Sequence, residues 1–295
     1  MTAVVIALPG SEEHATKLAN RLAVELVTPE LRRFPDGEIY VRLPRIAAQA
    51  EHVVLCGSLY PAPADRFLEM SFVAATARDL GVTRVGLVAP YLAFLRQDFQ
   101  FHPGEGVTAK YFARMVSAAV DWLVTVDPHL HRLDALGGVY TIPTTVAHAA
   151  ASIAAWVSTE ISKPVLVGPD QESEQWVAAV AAACGAPFEI LTKTRRGDRD
   201  VSVSASMREW NGHTPVLIDD IVSTGRTLVE ATRSLRAAGS SPPVCIAIHA
   251  VFADSVEGEL VSAGASGIVT CNTITHASNR ICVADPIAAA ARAYL

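Results

Sequence analysis

Short runs of almost uninterrupted apolar, largely β-branched residues punctuate the chain and constrain its fold more than any other feature. They are Val4–Leu8, Val53–Cys56, Val85–Ala89, Leu123–Val126, Val165–Val167, Val216–Ile218, Val244–Ile248 and Ile268–Val269. A strand with one wet face alternates apolar and polar residues. A strand that is apolar throughout must be covered on both faces, as parallel strands flanked by helices are. Longer stretches with helical patterning lie between several of the runs: Glu12–Leu26, Phe67–Leu80, Ala109–Ala119, Val146–Ile161, Glu174–Cys184, Thr227–Ala238 and Ser255–Ser262, with a last helix at Pro286–Leu295. This alternation predicts the α/β class.

At 295 residues the chain suits two domains of ordinary size. With 51% hydrophobic and 18% charged residues it can bury a substantial core, which excludes wholesale disorder. No low-complexity linker interrupts it, so the boundary is placed near Thr141–Thr145, after a turn-rich segment. A formal net charge of −6 lacks the broad basic field that duplex nucleic acid demands, so nucleic-acid partners are not expected. The five cysteines are odd in number and widely spaced, and the N-terminus has no basic region ahead of its short apolar run. These features predict a cytoplasmic protein without disulfides or a signal peptide. The Ala-rich stretch His148–Val157 is too short and interrupted to span a bilayer, so no membrane partner is expected.

In open parallel sheets ligands bind beyond the carboxyl ends of the strands. Four strand ends carry polar chemistry: Ala89–Asp98, Thr125–His131, Val167–Gln175 and Leu217–Thr227. The last is the most specific. A buried strand ends in Asp219 and Asp220 and runs through Ser223, Thr224, Gly225 and Thr227 into a helix. Backbone N–H groups at the small-residue turn, the hydroxyls and the helix N-terminus make a cage for one phosphate monoester. The two acids can accept hydrogen bonds from vicinal sugar hydroxyls or hold a metal through water. The Walker A pattern is absent, so ordinary P-loop chemistry is not expected.

Residues Asp219–Thr227 resemble the phosphoribosyl-diphosphate loop of phosphoribosyltransferases and of ribose-phosphate diphosphokinases. Five further motifs decide for the second family: Arg33–Glu38, Tyr91–Asp98, Asp127-Pro128-His129, Gly168-Pro169-Asp170 and Lys193-Thr194-Arg195. They occur in that family's order and at about its spacing, so the resemblance covers almost the whole chain. It implies two phosphoribosyltransferase-like α/β domains, 1–143 and 144–282, each with a mainly parallel sheet flanked by helices, and residues 283–295 packed back on the first. It implies diphosphoryl transfer from ATP to O1 of ribose 5-phosphate, with Mg²⁺ as cofactor. The rival readings are a phosphoribosyltransferase, which leaves the N-terminal half unassigned, and a non-catalytic regulatory homologue.

The resemblance assigns roles residue by residue. Phe34, Asp36 and Glu38 would meet the adenine of a neighbouring subunit, which implies a homo-oligomer with its active site at an interface. Arg96, Gln97 and Asp98 would serve ATP, with the Arg96 fork suited to a polyphosphate. His129 and Asp170 would hold the metal, with His131 a competing candidate. Lys193 and Arg195 would supply charge to the transition state from a closing loop. Asp219 and Asp220 would orient the ribose hydroxyls, and Ser223, Thr224, Gly225 and Thr227 the 5-phosphate. Departures from the common pattern are Ser223 in place of an acid, Arg226 in place of glycine, Gln171–Glu174 in place of a glycine-rich turn, and His102–Thr108. In the last segment Glu105 would bring negative charge toward a bound phosphate, so regulation by ADP is expected to be weak. Glu172 and Glu174 either restrict the pyrophosphate side of the site or cap a helix starting near Ser173.

Overall fold

The computed structural model describes residues 2–45, 47–130, 135–191, 210, 212–253 and 255–295. The chain forms two compact units, one of Met1–His148 with Ala284–Leu295 and one of Ala149–Val283. Each contains one six-stranded, all-parallel sheet flanked by helices. The α/β reading of the sequence therefore holds in both halves.

In the first unit the sheet contains β1 (Ala3–Ala7), β2 (Glu25–Val27), β5 (His52–Cys56), β6 (Arg84–Ala89), β7 (Trp122–Val126) and β8 (Thr144–Ala147). Its order is β2-β1-β5-β6-β7-β8. The central strands are buried along nearly their whole length, which is why they read as continuous apolar runs. Helices α1 (Glu12–Leu22), α2 (Pro63–Asp79) and α3 (Thr108–Ala119) belong to this unit. An antiparallel hairpin of β3 (Glu30–Arg33) and β4 (Ile39–Arg42) stands apart from the sheet and packs against α2.

One close fit fixes the end of this sheet. A Cβ on Gly86 of β6 would lie 1.9 Å from the Trp122 ring on β7, so only glycine admits the indole there. The Trp122 ring stacks on Tyr294, with centroids 4.6 Å apart and planes 7° from parallel. Tyr294 also shares a 2.7 Å hydrogen bond with the Thr145 hydroxyl of β8. The C-terminal helix α8 (Ala284–Ala291) thus returns to the first unit, packing on α1, β7 and β8.

The second unit's sheet contains β9 (Pro164–Gly168), β10 (Phe188–Ile190), β11 (Thr214–Ile221), β12 (Val244–His249), β13 (Gly267–Cys271) and β14 (Asn279–Ile281). Its order is β10-β9-β11-β12-β13-β14. Helices α4 (Ala150–Glu160), α5 (Glu174–Cys184), α6 (Arg226–Ala237) and α7 (Val256–Ala263) complete it.

Three helix expectations are corrected. The helix expected over Glu12–Leu26 ends at Leu22, because Ala23 turns left-handed at φ 57° and the chain continues as edge strand β2. The helix expected over Val146–Ile161 begins only at Ala150, since Thr144–Ala147 pairs with β7 as β8. Threonines and a valine favour the pleated strand over the helix. The last helix starts at Ala284 and gives way to a tighter turn over Arg292–Tyr294. None of the five cysteines forms a disulfide. Among the described residues no helix is long and apolar enough to cross a membrane.

Candidate active site

The carboxyl end of β11 is the most densely built part of the second unit. Asp220 is 4% exposed. The Asp220 N–H donates to Asp219 Oδ1 at 3.0 Å, and the Ile221 N–H donates to Asp220 Oδ1 at 2.7 Å. Each carboxylate is thus oriented by the next amide along the chain. Burial pushes the Asp219 carboxyl up to about 8, and the negative charges of Asp220 and Asp170 push the same way. The negative charges of three acids therefore act together at this strand end. Such a site favours sugar hydroxyls, which donate hydrogen bonds, or a bound cation.

Beyond the acids, Val222 is buried, Ser223 and Thr227 are half-buried and Thr224 is exposed. Gly225 stands at the helix N-terminus with φ 66°, a conformation that favours glycine. A Cβ there would also come within 2.7 Å of Val256 Cγ1 on α7. Two constraints therefore exclude a side chain at this position. The same glycine leaves the twelve-residue helix α6 without a side-chain cap. Its first amides and the positive end of its dipole are available to an anion.

Asp170 follows β9 in the same unit. Its Oδ1 accepts from the Glu172 and Ser173 amides, at 3.1 and 3.3 Å, across a single tight turn over Gln171–Ser173. Ser173 folds back, its hydroxyl donating to the Asp170 carbonyl at 2.6 Å. A Cβ on Gly168 would lie 2.5 Å from that Ser173 oxygen, so glycine makes the fold-back possible. The cap is Asp170 with Ser173, not either glutamate. Glu174 begins α5 and accepts from the Gln171 side-chain amide.

The first unit presents its polar residues in three places. Behind β7 the chain enters Asp127-Pro128-His129. Asp127 is buried and has φ 30°. The left-handed region costs a non-glycine residue about 1–2 kcal/mol, and a following proline disfavours helical conformations further. Two bonds hold it: its N–H donates to the Ala147 carbonyl at 3.1 Å, and its Oδ1 lies 2.7 Å from His148 Nδ1. The hydrogen bond to Asp127 raises the His148 pKa, against the opposing effect of burial. His129 is half-buried two residues further on.

The β3–β4 hairpin carries Phe34, Asp36 and Glu38, all exposed. Its turn closes through Phe34 N–H to Glu38 O at 2.8 Å and Gly37 N–H to Phe34 O at 2.9 Å. Arg32 lies over Tyr40 and Phe34, 4.0 and 4.8 Å from the ring centroids. Arg33 donates to the Gly37 carbonyl and reaches Asp65 and Glu69 of α2. The third group follows β6: Arg96 is exposed, Gln97 half-buried and Asp98 buried. The Gln97 carbonyl accepts from the Ala109 amide at 3.2 Å, tying this segment to α3. Glu105 turns onto its own loop, its Oε2 accepting from the Phe101 and His102 amides at 2.8 and 2.9 Å.

Lys193, Arg195 and His131 lie outside the described residues. Among the described residues no group of three or more His, Cys, Asp or Glu side chains is placed to hold a metal ion. His129 belongs to the first unit and Asp170 to the second. The sequence reading missed the Asp127–His148 pair. Its signal was a strand ending at Ala147, obscured because that segment was read into the following helix.

Residues 3–119 match the family model described as the N-terminal domain of ribose phosphate pyrophosphokinase, and residues 139–285 match the phosphoribosyl transferase domain. A ribose-phosphate pyrophosphokinase of Methanopyrus kandleri is 32% identical, over 97% of this chain and 98% of its own length. The chain belongs to the ribose-phosphate pyrophosphokinase family. A family member of Methanosarcina mazei is 31% identical over 98% of this chain and 95% of its own. The fold agrees with that of phosphoribosylpyrophosphate synthetase from Mycobacterium smegmatis, with a TM-score of 0.82 at 23% identity, covering 100% of this chain and 99% of that one. Membership of the ribose-phosphate pyrophosphokinase family makes the chain an enzyme. It also disposes of the reading as a stand-alone phosphoribosyltransferase, because the N-terminal half is assigned to this family.

Proposed function

We propose that this enzyme transfers the diphosphoryl group of ATP to O1 of ribose 5-phosphate, giving 5-phosphoribosyl 1-diphosphate and AMP. O1 attacks the β-phosphorus, the bond from that phosphorus to the oxygen bridging it to the α-phosphorus breaks, AMP leaves and the O1 proton is lost. The observation that carries the reading is the β11–α6 loop, where oriented acids precede an uncapped helix start held open by Gly225. Ser223, Thr224, Thr227 and the α6 amides bind the 5-phosphate, and Asp219 and Asp220 accept from the ribose hydroxyls. That leaves the reacting O1 at the mouth of the site.

On the nucleotide side, Phe34, Asp36 and Glu38 receive adenine, and Arg96, Gln97 and Asp98 hold the ribosyl polyphosphate. Lys193 and Arg195 meet the charge that develops as AMP departs. Asp170 and His129 would hold Mg²⁺. The donor set fits: Asp170 is a hard carboxylate with Oδ1 already oriented by two amides, and Mg²⁺ takes few protein ligands beside substrate oxygens and water. When bound, the ion supplies charge neutralisation along the polyphosphate. The exposed hairpin, protruding from its sheet and anchored through Arg33, suits a homo-oligomer in which it serves a neighbouring subunit's site. The first unit, Met1–His148 with Ala284–Leu295, serves ATP, and the second, Ala149–Val283, serves ribose 5-phosphate. Five cysteines without a disulfide suit the cytoplasm.

The test is AMP release from ATP measured with and without ribose 5-phosphate in the presence of Mg²⁺. Release that depends on ribose 5-phosphate is expected. Ligand binding without AMP release would instead favour a non-catalytic regulatory homologue.

A further inference from the structure

We infer that His148 is a positioning residue for nucleotide–metal binding, fixing through the Asp127 carboxylate the turn that presents His129. The inference rests on the reading of His129 as a ligand of the metal carried by ATP.

The argument starts from the backbone. Asp127 adopts φ 30° directly before a proline, a position where an aspartate does not settle without restraint. Its side chain is 4% exposed, so its carboxylate requires hydrogen-bond donors from the protein. Two restraints come from the end of β8. The Ala147 carbonyl accepts the Asp127 N–H at 3.1 Å, continuing the β7–β8 ladder by one residue. The His148 ring meets Asp127 Oδ1 at 2.7 Å from Nδ1. The first bond belongs to any parallel pair of strands; the second is specific to this side chain. Pro128 restricts the next φ, so the path from Asp127 to His129 has little freedom once Asp127 is fixed. A ligand held by such a turn is oriented before metal and nucleotide arrive.

A bracing role in the fold is a poor account of His148. Its side chain is 72% exposed, so the ring fills no core space and its removal leaves no cavity. The group it orders is buried and stands two residues from His129. Partners of this kind orient a metal-binding side chain without touching the metal, and their loss typically weakens metal affinity about 10–100-fold.

The test uses the full-length enzyme and three variants: His148→Ala, His148→Asn and His129→Ala. Binding of Mn²⁺ with α,β-methylene ATP is followed by electron paramagnetic resonance, binding of the same nucleotide in EDTA by calorimetry, and KM for each substrate by AMP release. His148→Ala should weaken Mn²⁺–nucleotide binding about 10–100-fold while leaving metal-free nucleotide binding, the ribose 5-phosphate KM and the thermal midpoint close to wild type. His148→Asn, whose amide can still donate, should recover most of the loss. Unchanged Mn²⁺–nucleotide affinity in His148→Ala overturns the inference. So does an equal loss for the metal-free nucleotide, or a loss that follows a fall in thermal midpoint and is not recovered by asparagine. If His129→Ala keeps full Mn²⁺ affinity, the reading of His129 fails and the inference with it. If His129→Ala loses that affinity while His148→Ala keeps it, the inference alone fails.

Discussion

The ends of β7 and β11 make an instructive pair. Each is a central, buried strand that delivers aspartate to the carboxyl edge of a parallel sheet. At β7 the Asp127 carboxylate meets the His148 ring, and the Asp127 N–H donates to the Ala147 carbonyl. At β11 Asp219 and Asp220 accept from the amides of Asp220 and Ile221, and the negative charge of Asp170 acts on Asp219 as well. The first arrangement holds a left-handed aspartate in place. The second gathers like charge at one strand end, an arrangement suited to groups that donate hydrogen bonds. Both stand where a doubly covered sheet brings ligands, yet only the second has the electrostatics of a substrate site.

The largest effect should come from removing a cation proposed to act in the transition state. Lys193→Ala should lower kcat by about 10²–10³ and change the ATP KM far less, the signature of charge supplied in the transition state. A raised KM with unchanged kcat would show that Lys193 only binds. The second effect tests how the β11 loop is built. Gly225→Ala forces a side chain into a left-handed position and against Val256, together about 2–5 kcal/mol by strain and overpacking. Chemical denaturation should register the loss, and the ribose 5-phosphate KM should rise with it. Adding Val256→Ala should relieve the crowding and leave the backbone strain.

Asp220→Asn comes next. Losing a charged hydrogen bond to a substrate hydroxyl costs about 1.5–3 kcal/mol, so the ribose 5-phosphate KM should rise roughly 10–100-fold with the ATP KM nearly unchanged. Asparagine is the informative substitution, because the Asp220 carboxylate also receives the Ile221 amide and alanine would leave that amide without its partner. Equal changes in both KM values would erase the distinction between the two strand ends.

A separate effect is expected in the pH dependence of stability. The Asp219 carboxyl is raised in the folded state, to about 8 from an ordinary 3.8. The native state therefore holds a proton that the unfolded chain has released, and stability falls as pH rises through that interval. In EDTA, the stability of Asp219→Asn relative to wild type should increase from pH 5 to pH 8, read by urea unfolding at each pH. A constant difference would show that Asp219 ionises normally. The smallest effect belongs to the braced edge of the first unit. Tyr294→Leu removes the stack on Trp122 and the bond to Thr145, and should cost about 1–2 kcal/mol in unfolding free energy without moving the ribose 5-phosphate KM.

Much of this was readable before the structure. Uninterrupted apolar runs specify strands buried on both faces, and that local pattern survives in any packing, so the α/β class and most central strands were legible. The Asp219–Thr227 loop was legible for the same kind of reason: strand, acids, small residues and helix are contiguous, so its chemistry is written over a dozen neighbouring positions. Edge strands β2, β8 and β10 were not, because short mixed-polarity segments take their conformation from the strand beside them.

Tertiary structure alone decided the relations between distant residues. His148 meets Asp127 across 21 positions because β8 lies beside β7. Gly86 is glycine because Trp122 lies over it, and the Trp122 ring is covered by Tyr294 from the far end of the chain. The Asp219 carboxyl is raised because burial and two neighbouring acids act on it together, one of them from another strand end. Local sequence sets which conformations a segment favours, through sterics and side-chain periodicity. It carries no direct record of distance between remote segments, and desolvation, crowding and charge coupling all depend on that distance.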